Sequence, residues 1–336
     1  MHNKKLLATV SVLVLGCAVL TGCGKTSKVK DNSTVIKYDG GKISADTLYQ
    51  TLKEKYGISI LVDLLDHELL DKKYKANDEE KTTIDSQIKQ MKAQYNNNEE
   101  TFKAAISQYL GVKDEQELRD MLSLEYKRNL AVEDYIKDNI KDDEINKYYD
   151  EEVVGDMKVR HILIKPDTTS DMSQSEKEEA EKKAKKEAED IIKQLDEGAD
   201  FETLAKEKSD DTGTASDGGL IDYFNKDSNM DENFTEASIA LKKGEYTKEP
   251  VKSTYGYHII LKVDQKDKSK LKDIKSTILE KLTEEKLNND ATLRYETLIA
   301  IREKEGVTFK DDALKKDYDN LMDKLIENAK NSSSSS

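Results

Sequence analysis

The chain has 336 residues, 36% of them hydrophobic and 37% charged, with 69 Asp and Glu against 55 Lys and Arg for a formal net charge of -14. Because Lys and Glu are interleaved throughout, no concentrated basic face exists to neutralise phosphates, which excludes a nucleic-acid binder. The length suits two domains, or one domain inserted into another, and the polar balance suits slim helical layers rather than one thick core.

Lys4 and Lys5 precede an apolar run from Leu6 to Leu20, which is followed by Thr21-Gly22-Cys23. The run is short for a membrane span and does not recur, so residues 1–22 read as an export signal. Leu20-Thr21-Gly22-Cys23 resembles the bacterial lipobox, which implies cleavage before Cys23 and a diacylglyceryl group on its thiol. Two acyl chains hold a protein on a bilayer where one holds only marginally. Cys17 lies inside the apolar run and reads as a small hydrophobe. The mature chain then has no cysteine free for a disulfide, and core packing must hold it together. Residues 23–33 read as a polar tether.

Val35-Ile36-Lys37-Tyr38 is strand-like and closes in a turn at Asp39-Gly40-Gly41. Ser44 is placed to cap a helix that buries Leu48 and Leu52. Gly57 punctuates the start of a second helix, Ile58 to Tyr74, with Leu61, Leu65 and Leu69 at four-residue spacing. Helices near 78–95, 99–110 and 114–138 follow, the last with Leu118, Leu122 and Tyr126 on one stripe. Such stripes are core, or they leave a groove for unfolded chains.

From Met157 the texture changes, and both prolines, Pro166 and Pro250, fall in this region. A strand from Met157 to Lys165 places Val159, His161 and Leu163 on one face. A helix from Ser175 to Glu197 stops at Gly198, and Asp200 caps a short helix carrying Phe201 and Leu204. After a glycine-rich loop and a short strand, Asn233 to Lys243 reads as a helix ended by Gly244. The last strand, Tyr255 to Val263, puts Gly256, His258 and Ile260 on one face and Tyr257, Ile259, Leu261 and Val263 on the other. The element order is β-α-α-β-α-β-β. Beyond residue 265 helical texture returns with Leu271, Ile274, Ile278 and Leu282 in register, then a strand-like Val307-Thr308-Phe309, a final helix to Asn328 and a disordered tail over 331–336. The simplest architecture is one helical domain from residues 34–150 and 266–330 with a mixed domain, 151–265, inserted between them.

Four histidines exist, and His161 and His258 occupy the first and last strands of the mixed region. A metal site wants a third or fourth ligand, and His2 and His67 lie in the discarded segment and in another domain. Hydrolysis wants a poised nucleophile, and no motif such as Gly-x-Ser-x-Gly is present. Four pieces point elsewhere: Val159 to Lys165; Asp200-Phe201 through Ser209-Asp210-Asp211; Asn233 to Ala237; and Tyr255 to Ile260. In that order and spacing they resemble a parvulin-type prolyl isomerase domain. With the lipobox and the flanking helical regions, the whole chain resembles the PrsA-type foldase lipoproteins of Gram-positive bacteria.

The resemblance implies an α+β fold, a four-stranded antiparallel sheet with helices inserted in a mainly α-helical chaperone domain. It implies peptidyl-prolyl cis/trans isomerisation of unfolded or newly exported polypeptides at X-Pro bonds, on the extracytoplasmic face of the cell membrane. No cofactor and no metal are implied, and a homodimer is left open as a further partner. His161 and His258 match the paired histidines at the floor of the site, and Asp211 the Asp or Cys facing substrate. Leu220, Met230 and Phe234 match the apolar pocket for the proline ring, and Tyr255 borders it. The chain departs from the pattern in the loop from Phe224 to Met230, which is longer and lacks the usual glycine before Met230. The loop from Pro166 to Ser170 lacks the basic cluster of the phosphate-dependent branch and offers only Lys165, so phosphorylated substrates are not implied. The rival reading is a non-catalytic holdase on a parvulin-like scaffold, which retention of both histidines and Asp211 disfavours.

Overall fold

The computed structural model describes residues 33–333; the export segment, Cys23, nearly all of the tether and the last three residues lie outside them. The described residues form two compact units, one reaching Ile140 and resuming at Lys281, the other running from Lys141 to Glu280.

The first unit begins with a hairpin of β1 (Thr34–Tyr38) and β2 (Gly41–Ser44), antiparallel across a turn in which Gly40 takes φ 97°. Ser44 caps α1 (Ala45–Lys73), its Oγ accepting from the Thr47 N–H. Asn77, Asn98 and Asp114 cap α2 (Asp78–Gln94), α3 (Glu99–Ala105) and α4 (Glu115–Asn139) in the same way, each accepting from the third helical N–H. α3 runs on as one π-helical turn, Ile106–Leu110, before Gly111 ends it in the left-handed region.

α1 is one helix, not two. Gly57 lies in mid-helix, where an added Cβ would meet the Leu314 side chain at 3.5 Å. That is an ordinary contact, so the glycine is carried within the helix and marks no break. Leu48 and Leu52 are 43% and 40% exposed, because packing on the C-terminal segments begins only around Gly57 and Ile58. Farther along, the buried positions are Val62, Asp66 and Leu70, one residue on from the leucine stripe.

The second unit holds α5 (Asp142–Glu152), β3 (Met157–Ile164), α6 (Gln174–Asp196), α7 (Phe201–Lys208), β4 (Leu220–Phe224), α8 (Glu232–Ala240), β5 (Val251–Ser253) and β6 (Gly256–Gln265). Its sheet is fully antiparallel in the order β4-β3-β6-β5, with β3 and β6 central and paired along their length. On one face Ile162, Ile164, Tyr257 and Ile259 pack on Ala188 and Ile191 of α6 and on Phe201 and Leu204 of α7. On the other, Met157, Val159 and Ile260 lie with Phe224 and Phe234 under α8. The stop between α6 and α7 follows from glycine: Gly198 takes φ 97°, its N–H bonds Leu195 O and the Ala199 N–H bonds Gln194 O, closing α6 before Asp200 caps α7. α8 ends at Ala240, three residues short of the sequence expectation, and Gly244 instead serves a turn whose N–H bonds Lys262 O.

α9 (Leu271–Asn289), α10 (Leu293–Lys304) and α11 (Asp312–Ser333) complete the chain. The expected strand at 307–309 does not form. Gly306, at φ 73°, lets Val307 turn back and donate to Arg302 O, which uses that segment as the cap of α10, and Phe309 packs on Tyr318. In the helical unit Ile84, Ile88, Phe102, Ile106, Leu118 and Leu122 join α2, α3 and α4, while Leu70, Leu124 and Ile301 join α1, α4 and α10. At the centre Arg302 grips Asp66 through two parallel bonds of 2.9 and 2.7 Å, and Arg128 adds a third at 2.7 Å.

Candidate active site

Strand pairing alone brings the two histidines together. His161 pairs with Ile260 and Leu163 with His258, so the two imidazoles are diagonal neighbours on one face of the sheet. Both are buried, with ring centroids 5.4 Å apart and Nδ1 3.1 Å from Nδ1. Phe234, 2% exposed, is turned down by α8 onto both rings edge-on, at 5.6 Å from His161 and 5.1 Å from His258.

Hydrogen bonding runs through the pair in one direction. Asp211 Oδ2 lies 2.8 Å from His161 Nε2 and also accepts from the Thr214 hydroxyl at 2.5 Å. A carboxylate only accepts, so His161 carries its proton on Nε2 and offers a bare Nδ1. His258 must then donate from Nδ1, which leaves its Nε2 to accept from the Ser253 hydroxyl at 2.7 Å. Ser253 Oγ in turn accepts from the Tyr255 N–H at 3.0 Å. Every buried ring nitrogen is satisfied with both imidazoles neutral, the state that burial favours.

The loop that delivers Asp211 is tied to the end of β3. Ser209 Oγ accepts from the Leu163 N–H, the Asp210 N–H donates to Leu163 O, and the Asp210 carboxylate accepts from the Lys165 N–H. On the same strand the His161 N–H bonds Gly219 O at 2.8 Å. A Cβ at Gly219, φ 74°, would stand 2.0 Å from His161 O, so only glycine lets the loop approach so closely.

Electrostatics follow the burial. Burial works against charge on Asp211, but hydrogen bonds from Thr214, His161 and the Gly213 N–H outweigh it and hold the carboxyl below its ordinary value. Burial lowers His161, opposed by Asp211. His258 is pushed down to about 4 by burial and then by His161, against weaker attraction from Asp231 and Asp211. An unfolded chain therefore binds a proton at His258 that the folded chain refuses between about pH 6.5 and 4. The stability contributed by this neutral imidazole is complete above that window and is lost as pH falls through it, by about 3 kcal/mol. Urea midpoints measured from pH 7 to pH 4 should fall more steeply for the natural chain than for His258→Gln, and parallel profiles would contradict this.

The structure brings together His161, Asp211, His258 and Phe234. Met230, 37% exposed, and Tyr255, 66% exposed, lie on the loops that lead into α8 and β6. Those loops are linked, since the Thr254 N–H reaches the Asp231 carboxylate at 3.5 Å and Asn233 donates to Lys252 O. Leu220 is not among them. It pairs with Arg160 and so faces away from the histidines, whereas Ile221 pairs with Val159 and packs against the Phe234 cluster. The one-residue slip moves a side chain across the sheet. Thr214 and Ser253, which close the hydrogen-bond chain at its two ends, have no distinguishing signal among the many Ser and Thr of the sequence. Cys23 lies outside the described residues, and among those residues no group of three or more His, Cys, Asp or Glu is placed to hold a metal ion.

Residues 144–267 match the family model of the PPIC-type PPIASE domain. Over nearly its whole length the chain is similar to the foldase protein PrsA of Bacillus subtilis (strain 168), 33% identical over 313 residues that make up 93% of each chain. It is similarly related to the foldase protein PrsA of Geobacillus kaustophilus, 32% identical over 302 residues, 90% of this chain and 94% of that one. Among solved structures, PrsA from Bacillus cereus is 26% identical with a TM-score of 0.45, covering 87% of this chain and 99% of that one.

Proposed function

Since the chain belongs to the PrsA family of foldase proteins, we propose that it is held by a diacylglyceryl group on Cys23 at the extracytoplasmic face of the cell membrane and there folds exported polypeptides after translocation. The activity is peptidyl-prolyl cis/trans isomerisation. We assign it to His161, Asp211 and His258, with Phe234, Ile221, Met230 and Tyr255 receiving the proline and its neighbours. The observation that carries this assignment is the neutral histidine pair, hydrogen-bonded to a carboxylate and walled by Phe234.

The chemistry asks little of such a site. Rotation about an X-Pro bond is opposed by amide resonance, a barrier of roughly 18–20 kcal/mol, and no covalent bond is made or broken. Favouring the twisted amide over the planar one by about 4 kcal/mol gives on the order of a thousandfold. The site's apolar side chains fix the pyrrolidine ring, while Asp211, partly exposed beside it, supplies a fixed charge towards the moving carbonyl and amide. The neutral imidazoles hold Asp211 in place and do no covalent work.

Holding unfolded chains calls for exposed apolar surface, and the helical unit has it. Ten of the fourteen large apolar side chains left exposed among the described residues lie between Val35 and Leu64, on the hairpin and along α1 as far as Leu64. Exposed apolar side chains concentrated in one segment suit a surface that receives unfolded chains. No helix among the described residues is long and apolar enough to cross a membrane, so attachment in this reading depends on Cys23. In bacterial fractionation the natural chain should sediment with membranes, and Cys23→Ala should be released with its isomerase activity intact. Equal membrane retention of the two would refute the anchor, and loss of activity on release would refute its separation from catalysis.

A further inference from the structure

Among the described residues Lys262 is the only Lys, Arg, Asp or Glu with no exposed surface. It lies on β6 opposite Val159, and alternation from His258 and Ile260 sets its side chain on the α8 face of the sheet, just before the pairing skips Val263 and resumes at Asp264. There its Nζ donates to Ile239 O at 3.2 Å and to Gln265 Oε1 at 2.9 Å. Neither partner is a carboxylate, and burial alone lowers its pKa. An ammonium buried without a counter-charge is costly, and an unbranched apolar side chain would fill the same space without that cost.

What the ammonium supplies is a donor at the negative end of a helix. Ile239 is in the last turn of α8, where backbone carbonyls have no partner within the helix and a cation is favoured. α8 has nine residues, too few to stay helical unaided. Its N-terminal end is tied by the Asp231 cap and by Asn233 to the β5 backbone. Its C-terminal end is tied by Lys262. Between these ties α8 carries Phe234, whose ring rests on both imidazoles.

We propose that Lys262 is a positioning residue for the isomerase, fixing α8 so that Phe234 stays against the histidine pair. This rests on the reading of Phe234 and the histidines as the reactive site. The test uses the full chain and a short X-Pro peptide, with kcat/KM and the imidazole C–H proton shifts of His161 and His258 as readouts. The shifts report the Phe234 ring directly and do not respond to stability alone. Lys262→Met, folded by far-UV circular dichroism, should lose about tenfold in kcat/KM, the scale expected of a sub-ångström misplacement, and move both imidazole resonances. Values within twofold of the natural chain, with unmoved resonances, would overturn the proposal. Should Lys262→Met fail to fold, Lys262→Gln is read the same way, because its amide ends one atom short of Ile239 O. Phe234→Ala serves as the control. If it keeps full kcat/KM, the site reading itself fails; if it is impaired while Lys262→Met is not, only the positioning role fails.

Discussion

Replacing His161 by alanine should lower kcat/KM for X-Pro isomerisation about a hundredfold, the range seen when one preorganised polar group is removed from a reactive site. That loss corresponds to about 2.7 kcal/mol of transition-state stabilisation. His161 is the middle link of the chain, accepting from His258 at 3.1 Å and donating to Asp211 at 2.8 Å. Without it, Asp211 keeps only Thr214 and the Gly213 N–H, and the buried Nδ1–H of His258 has no acceptor. Asp211→Ala should cost a similar factor, and the double variant should cost far less than the product, because the two act as one unit. Natural chain and both variants running alike at the uncatalysed rate would favour the non-catalytic holdase, and a single variant as fast as an active natural chain would remove that residue from the site.

The second large effect belongs to the helical unit. Asp66→Ala should destabilise that unit by about 3–5 kcal/mol, since it leaves the buried Arg302 guanidinium without a carboxylate, while Arg128 keeps Asp63 and Glu125. Asp66 and Arg302 are almost fully buried, and they join α1 to α10 across 236 positions of sequence. Burial opposes charge on Asp66, yet Arg302 and then Arg128 outweigh it and hold the carboxyl below its ordinary value. Urea unfolding followed by circular dichroism should show a helical transition at markedly lower denaturant. Peptide isomerisation in the absence of urea should be unchanged, because Asp66 belongs to the other unit. A shift of less than about 1 kcal/mol would place Asp66 among ordinary surface pairs.

Much of the mixed unit was legible because its signals are local. Alternation fixed which face of β3 carries His161, and Gly198 and Asp200 punctuated the end of α6 and the start of α7. The mistakes share a cause, which is that tertiary context reassigns a residue whose local meaning is ambiguous. Gly57 looked like the start of a second helix and lies in the middle of one. The leucines at 61, 65 and 69 looked like the buried stripe, but the helix turns Asp66 inward to meet two arginines from distant segments. Val307 to Phe309 had strand propensity, yet Gly306 folds that segment into a cap. In the site, Leu220 and Ile221 are equally apolar, and only the register against Arg160 and Val159 decides between them. Lys262 was invisible for the same reason as Asp66, since nothing in an isolated lysine says that it will be buried.

The most direct measurement is magnetisation exchange between the cis and trans proline resonances of a short X-Pro peptide, with catalytic amounts of the full chain. In the proposed site, two imidazoles joined through their Nδ1 atoms beneath a phenylalanine edge hold Asp211 where the twisting amide meets it. The natural chain and Asp66→Ala should both speed the exchange, while His161→Ala and Phe234→Ala should leave it near the uncatalysed rate. Undiminished exchange with those last two variants would contradict the assignment.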